Sequence, residues 1–186
     1  GVPASVTALG AIGYNDSVAY PWFAPAGFNR AALENVKNTD VRLTAGNRDD
    51  LYQSRINPIA NFPSGGFVIF GQKTLQQAKT ALDRVNVRRM LLEVKRQILH
   101  IARRLLFRRN NAQLRQKFIA QLSPRLSFIQ ANQGIEKFKI IMDDTNNSAE
   151  DRRNYRLNGK ILVVPTRTIE FISMEFIVDP DGVTFK

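Results

Sequence analysis

Residues 86–110 read NVRRMLLEVKRQILHIARRLLFRRN, an apolar repeat with helical spacing threaded with cations. This stretch constrains the fold more than any other, because it asks one element to be buried and heavily charged at once. On a helical wheel Val87, Met90, Leu91, Val94, Ile98, Ile101, Ala102 and Leu105 gather in one arc, the core-facing stripe of an amphipathic helix. Val85, Leu92, Leu99 and Leu106 recur every seven residues outside that arc, flanked by Arg88, Lys95, Arg96 and Arg103. The spacing therefore predicts a helix from about Val85 to Phe107 with a core face and, beside it, a leucine seam edged with positive charge.

Three readings of the seam stand. It can merge with the core stripe into one wide buried face, with the basic stems lying over it. It can be a second apolar contact, made with another subunit and steered by charge. Or the Arg-rich region 84–117 can belong to a nucleic-acid-binding module. Between Arg84 and Lys117 there are eleven Lys and Arg and one acid, Glu93, against a net charge of +11 for the whole chain. The basicity therefore belongs to one region and asks for one partner. Two features weigh against phosphates: leucines run through the charged side, and Phe107 is the one aromatic available for base stacking.

The remainder reads as one domain. At 186 residues the chain is long enough for a sizeable core. It has no cysteine, which removes disulfides and thiolate metal sites. No apolar run approaches the roughly 20 residues of a membrane-spanning helix. Residues 4–14 are small and apolar and read as a short buried helix. YPWFAPAGFNR (20–30) mixes Pro and Gly with aromatics, so it is a packed loop. Asn47 is a candidate cap for a helix reaching Arg55, and INPIANFPSGG (56–66) reads as turns. FVIF (67–70) is a short buried strand, TLQQAKTAL (74–82) a helix, and 112–130 a helix that Pro124 kinks or splits. IEKFKIIM (135–142), KILVVP (160–165) and TIEFISMEFIV (168–178) are strands, the last alternating well. Two or three long helices with a small sheet make an α+β (mixed α/β) fold.

Catalytic and metal chemistry find no foothold. The single His100 lies inside the long helix, so Ser–His, Cys–His and His-rich metal arrangements cannot be assembled. PSGG (63–66) precedes a strand instead of following one, unlike a phosphate-binding loop. Asp143, Asp144, Glu150 and Asp151 surround a polar turn without the ligand ladder of a calcium loop, and Arg152 and Arg153 can pair with them. No catalytic residue, metal or cofactor is assigned, and the chain is not expected to be an enzyme.

Five stretches occur in a fixed order: YPWFAPAGFNR (20–30), DLYQSRINPI (50–59), GFVIFGQKTL (66–75), RVNVRRMLLEVKRQI (84–98) and TRTIEFISMEFIVDPDGVTF (166–185). Together they resemble the C-terminal inner domain of contractile phage tail sheath proteins, relatives of R-type pyocin and type VI secretion sheaths. The resemblance implies a structural subunit that polymerises around a tail tube and contracts to drive the tube through the host envelope. It implies as partners other sheath subunits in a helical homopolymer, the tail tube protein, and baseplate and tail terminator proteins, with no nucleic acid and no membrane. It places the protein in the virion tail, assembled in the host cytoplasm. Residues 1–186 are then expected to be a piece lacking an N-terminal arm and outer domains, and monomeric by itself. Where many members carry an acid and Pro after the helix's aromatic, this chain has Arg108 and Arg109.

The resemblance sharpens two sets of contact residues. Arg88, Lys95, Arg96, Arg103, Leu92, Leu99 and Leu106 are candidates for meeting the tube or a neighbouring subunit. Ile169, Phe171, Ile172, Met174 and Phe176 belong either to an ordinary internal strand or to one that completes a neighbour's sheet.

Overall fold

The computed structural model describes residues 1–173. Its centre is a helical hairpin, α3 (Val85–Leu105) against α4 (Ala112–Ala131), backed by an antiparallel strand pair. The α3 stripe seats Val87, Met90, Val94, Ile101 and Leu105 in the core, and Leu91, Ile98 and Ala102 pack at its margin. Opposite them α4 contributes Leu114, Phe118, Leu122, Leu126 and Ile129, again three or four residues apart. Leu122 and Leu126 are completely buried. The Asn111 side chain caps α4 by accepting from Leu114 N at 2.9 Å. Pro124 lies inside α4 without dividing it, so the helix is one element across a position where one backbone hydrogen bond is lost.

Beyond α4 the chain turns at Gly134, where a side chain would come within 2.5 Å of Ile129 Cγ2 and 2.9 Å of the Trp22 ring. Strand β3 (Ile135–Ile141) then pairs antiparallel with β4 (Lys160–Pro165), with an irregularity in register between Ile135 and Lys137. The connection is not all turn. It holds α5 (Ala149–Arg153), opened by a capping box between Ser148 and Asp151, and a buried Asn147 that bridges to Asn158.

The N-terminal third wraps this body. Strands β1 (Ile59–Phe62) and β2 (Gly66–Ile69) form a second antiparallel pair, and Ala32 bridges to Val68 on the far side of β2. The 20–30 loop is irregular and packed, as its composition predicts. Tyr20 stacks on Trp22 at 4.8 Å, and Trp22 Nε1 donates to the Asn132 carbonyl at 2.8 Å. The small sheet of the sequence reading is thus two separate strand pairs, within the α+β class that was expected.

Several local expectations are corrected. Helix α1 runs Ala4–Val18 and is largely exposed; it buries Ala11 and Asn15 and leaves Val6, Leu9 and Tyr14 in solvent. Helix α2 (Ala45–Gln53) is capped by Thr44, with Asn47 at the third position completing the capping box, so Asp49 and Asp50 fall outside the first turn. Residues 59–62, read as turns because Pro58 and Pro63 flank them, form β1. Residues 74–82 are not a helix. Lys73 bridges to Arg84, and Thr74 N donates to the Asp83 carbonyl at 2.9 Å, so both ends of the segment meet. A nine-residue helix would hold those ends roughly 13 Å apart. The loop closes instead through Thr80 and a single 3₁₀ turn, Ala81–Asp83. Finally, residues 168–173 pair with no strand among the described residues, and 174–178, with Met174 and Phe176, lie outside the described residues.

Candidate interaction site

The outward side of α3 decides between two of the readings of the leucine seam. Leu92 is 64% exposed, Leu99 44% and Leu106, which caps the helix, 62%. The seam does not merge with the core; it stands in solvent along a helix whose opposite side is fully packed. Leaving such side chains exposed forgoes about 1.5–3 kcal/mol each that burial would supply. Together they form an exposed apolar stripe along one rigid element.

The cations along the seam divide by what they touch. Arg88 turns to the 76–82 loop, donating to the Leu82 carbonyl at 3.0 Å and to Gln76 Oε1 at 2.5 Å. Arg96 forms a two-point pair with Glu93, at 2.8 and 2.6 Å, and Gln97 donates to the same carboxylate at 2.6 Å. The Arg96 guanidinium and then Gln97 outweigh burial and hold the Glu93 carboxyl below its usual range. Lys95 and Arg103 have no ion-pair partner among the described residues. Sequence reasoning missed a neighbouring cluster. Arg104 and Arg108 face Lys117 and Arg125 across an open cleft of about 360 Å³ between the end of α3 and α4. Only the topology of the hairpin brings these four together, because Arg104 lies on α3, Arg108 in the turn after it, and Lys117 and Arg125 on α4.

The rest of the 84–117 region does not present one phosphate-tracking face. Arg89 is drawn inward to Asp16, at 2.5 and 2.6 Å, and to the Pro21 carbonyl. Arg115 is buried beside Asp144, and Arg84 is committed to Glu170. The nucleic-acid reading therefore loses the continuous basic stripe it required.

Segment 166–173 is fastened by polar contacts. Arg84 grips Glu170 with two parallel hydrogen bonds, Nε to Oε1 at 2.7 Å and Nη2 to Oε2 at 2.9 Å. The Tyr52 hydroxyl donates to the same carboxylate, and Gln72 Nε2 donates to Thr168 Oγ1 at 2.5 Å. Lys73 Nζ sits 3.3 Å from the centre of the Tyr52 ring. Burial alone would raise the Glu170 carboxyl, but the bonds from Arg84 and Tyr52 outweigh it and hold the group below its ordinary value. Burial, with the carboxylate beside it, pushes the Tyr52 phenol up to about 12. While Thr168 and Glu170 face the body, Ile169 and Phe171 stand 83% and 77% exposed, and Ile172 is exposed as well.

The remaining candidates are structural. His100 is exposed on α3. Asp143 accepts from Thr145, Asp144 pairs with Arg115 and Arg152, and Asp151 caps α5. Among the described residues no three His, Asp or Glu side chains gather as a metal site.

No family model matches the chain. Over 186 residues it is 37% identical to the tail sheath protein of Vibrio phage KVP40, and over 184 residues 30% identical to that of Enterobacteria phage T4. The tail sheath protein of Salmonella phage ViI is 29% identical over 182 residues. These alignments take in 97–99% of this chain but only 27–29% of the relatives, so the chain spans little more than a quarter of their length. The fold is shared with solved structures at lower identity. The sheath complex of PVC, an extracellular contractile injection system, in its contracted state aligns with a TM-score of 0.88 and 23% identity, over 97% of this chain and 52% of that one. A chain of the anti-feeding prophage baseplate aligns with a TM-score of 0.86 and 22% identity, over 95% of this chain and 50% of that one.

Proposed function

We propose that this chain, a relative of the phage tail sheath proteins along nearly its whole length, is part of a contractile tail sheath subunit of a virion. The observation that carries the sheath reading is that kinship, which takes in 99% of the chain. In this role the subunit polymerises with copies of itself around a tail tube, meets baseplate and terminator proteins at the ends of the polymer, and contracts to drive the tube through the host envelope. Assembly takes place in the host cytoplasm before the tail is complete. The role is mechanical and assigns the chain no reaction.

The exposed α3 seam supports a protein contact within such a polymer. A subunit contact that does not close on itself generates a helical filament. Leucines supply apolar area, and Lys95 and Arg103 supply charge that fixes register and approach. Exposed ion pairs contribute only about 0–1 kcal/mol each and are screened by salt, so a surface held by them can also release. Segment 168–173, which joins no strand among the described residues and leaves Ile169, Phe171 and Ile172 exposed, has the composition of a strand that completes a neighbour's sheet.

The test is charge reversal on a full-length sheath protein carrying this domain. Lys95→Glu with Arg103→Glu should leave the fold intact by circular dichroism and reduce tube-dependent polymer in negative-stain micrographs. Unchanged tubular assembly would remove the docking role of these cations. Tight retention of duplex DNA at physiological salt, with no polymer under any condition, would remove the sheath reading altogether.

A further inference from the structure

Segment 166–173 follows β4 without joining a sheet among the described residues, yet it lies against the body in a fixed register. One main-chain bond, Thr166 N to the Gly134 carbonyl at 3.3 Å, starts it off. From there the hold is made by side chains from three separate parts of the fold. Tyr52 comes from the end of α2, Gln72 from the exit of β2 and Arg84 from the cap of α3. They converge on two positions of the segment that are two residues apart, the Thr168 hydroxyl and the Glu170 carboxylate. The geometry is selective. Arg84 is itself anchored by Asp83 at 2.8 Å, which fixes the plane of the guanidinium, and the Tyr52 ring is held from its other side by Lys73. The buried Gln72 reaches both Thr168 and Glu170. Phe171 meets the Tyr52 ring edge-on at 6.1 Å.

We propose that Tyr52, Gln72 and Arg84 form a carboxylate-binding socket for an extended segment with a hydroxyl two residues before an acid, and that Glu170 is its occupant. The socket, and not strand pairing, sets where this segment lies and which side chains it turns outward. An apolar fastening would have buried Ile169 and Phe171. A polar one leaves both largely exposed, with Phe171 set edge-on to the Tyr52 ring, since a two-residue repeat puts alternate side chains on opposite sides. An ion pair with two hydrogen bonds is also directional, so it fixes the roll of the segment as well as its position. The socket stands independently of the sheath reading; its consequence for assembly, that it aims Ile169 and Phe171 at a neighbouring copy, rests on that reading.

Backbone 15N relaxation on the intact chain tests the socket. In Glu170→Ala the order parameters of residues 167–171 should fall from the rigid range, ~0.85, to below ~0.6, and in Arg84→Ala by a lesser amount, while those of α4 are unchanged and serve as a control for folding. The double variant should loosen the segment no further than Glu170→Ala alone, which already removes the Arg84 pair together with the contacts from Tyr52 and Gln72. Tyr52→Phe, which deletes a single hydroxyl, should give a smaller decrease in the same residues. Unchanged order parameters in Glu170→Ala, or a double variant looser than Glu170→Ala, would overturn the socket. Carried into a full-length sheath protein, Glu170→Ala should slow polymer growth. A loosened segment with unaffected growth would leave the socket standing and remove only its role in assembly.

Discussion

Glu170 and Tyr52 share one proton-sensitive contact, and their opposite shifts define its working range. The Glu170 carboxyl is held below its ordinary value of 4.5, so its contribution is complete above that value and is lost as pH falls through the lowered one. The Tyr52 phenol is raised from 10.0 to about 12, so its contribution is complete below pH 10 and is lost as pH rises through 12. Arg55, Lys73, Asp83 and Arg84 are the charged side chains that surround the pair. The 15N order parameters of residues 167–171 should therefore be flat between about pH 5 and 10 and fall on both sides, with Glu170→Gln abolishing the acid limb. Elsewhere single residues matter through packing. Leu122→Ala at a fully buried position on α4 should cost about 2–5 kcal/mol in urea denaturation, the range for deleting a buried leucine side chain. Gly134→Ala should also destabilise, because the added carbon would sit against Trp22 and Ile129 in a turn packed from both sides.

Helix α3 divides its residues between two purposes, and substitutions should separate them. Leu99→Ser on the exposed seam should change the stability of the isolated chain by less than about 0.5 kcal/mol, as surface changes usually do, and still reduce polymer formation. Val94→Ser, on the core stripe of the same helix, should destabilise the fold itself. The two faces were legible in the sequence because helical periodicity is local and strong over 21 residues. The strands at 135–141 and 160–165 were legible for the same reason. What failed was set by long-range closure. Segment 74–82 has helix-forming composition, but the meeting of Lys73 with Arg84 overrides it. Strand β1 hides between prolines because its partner, β2, supplies the pairing. The grip on Glu170 joins residues that lie 86 positions or more from it and have no shared motif, so no local pattern could announce it. The four cations facing one another across the α3–α4 cleft were invisible for the same reason.

At the scale of the molecule, three apolar surfaces stand exposed among the described residues: the seam on α3, the outward side of 168–173, and much of α1. In the proposed sheath subunit, neighbouring copies would cover them. In analytical ultracentrifugation the isolated chain should sediment as a monomer, with assembly recovered only in the longer protein. Trp22 offers a way to watch both. It is the sole tryptophan of the chain, it is almost wholly enclosed, and its indole nitrogen is tied to a carbonyl 110 residues further on. Its ring lies where the N-terminal loop, the end of α4 and the Gly134 turn converge. Any opening that separates the loop from the helical hairpin must bring this ring into water. The chain thus carries its own optical probe: red-shifted emission on unfolding reports the loss of the central joint, with no label added and no competing signal from another indole.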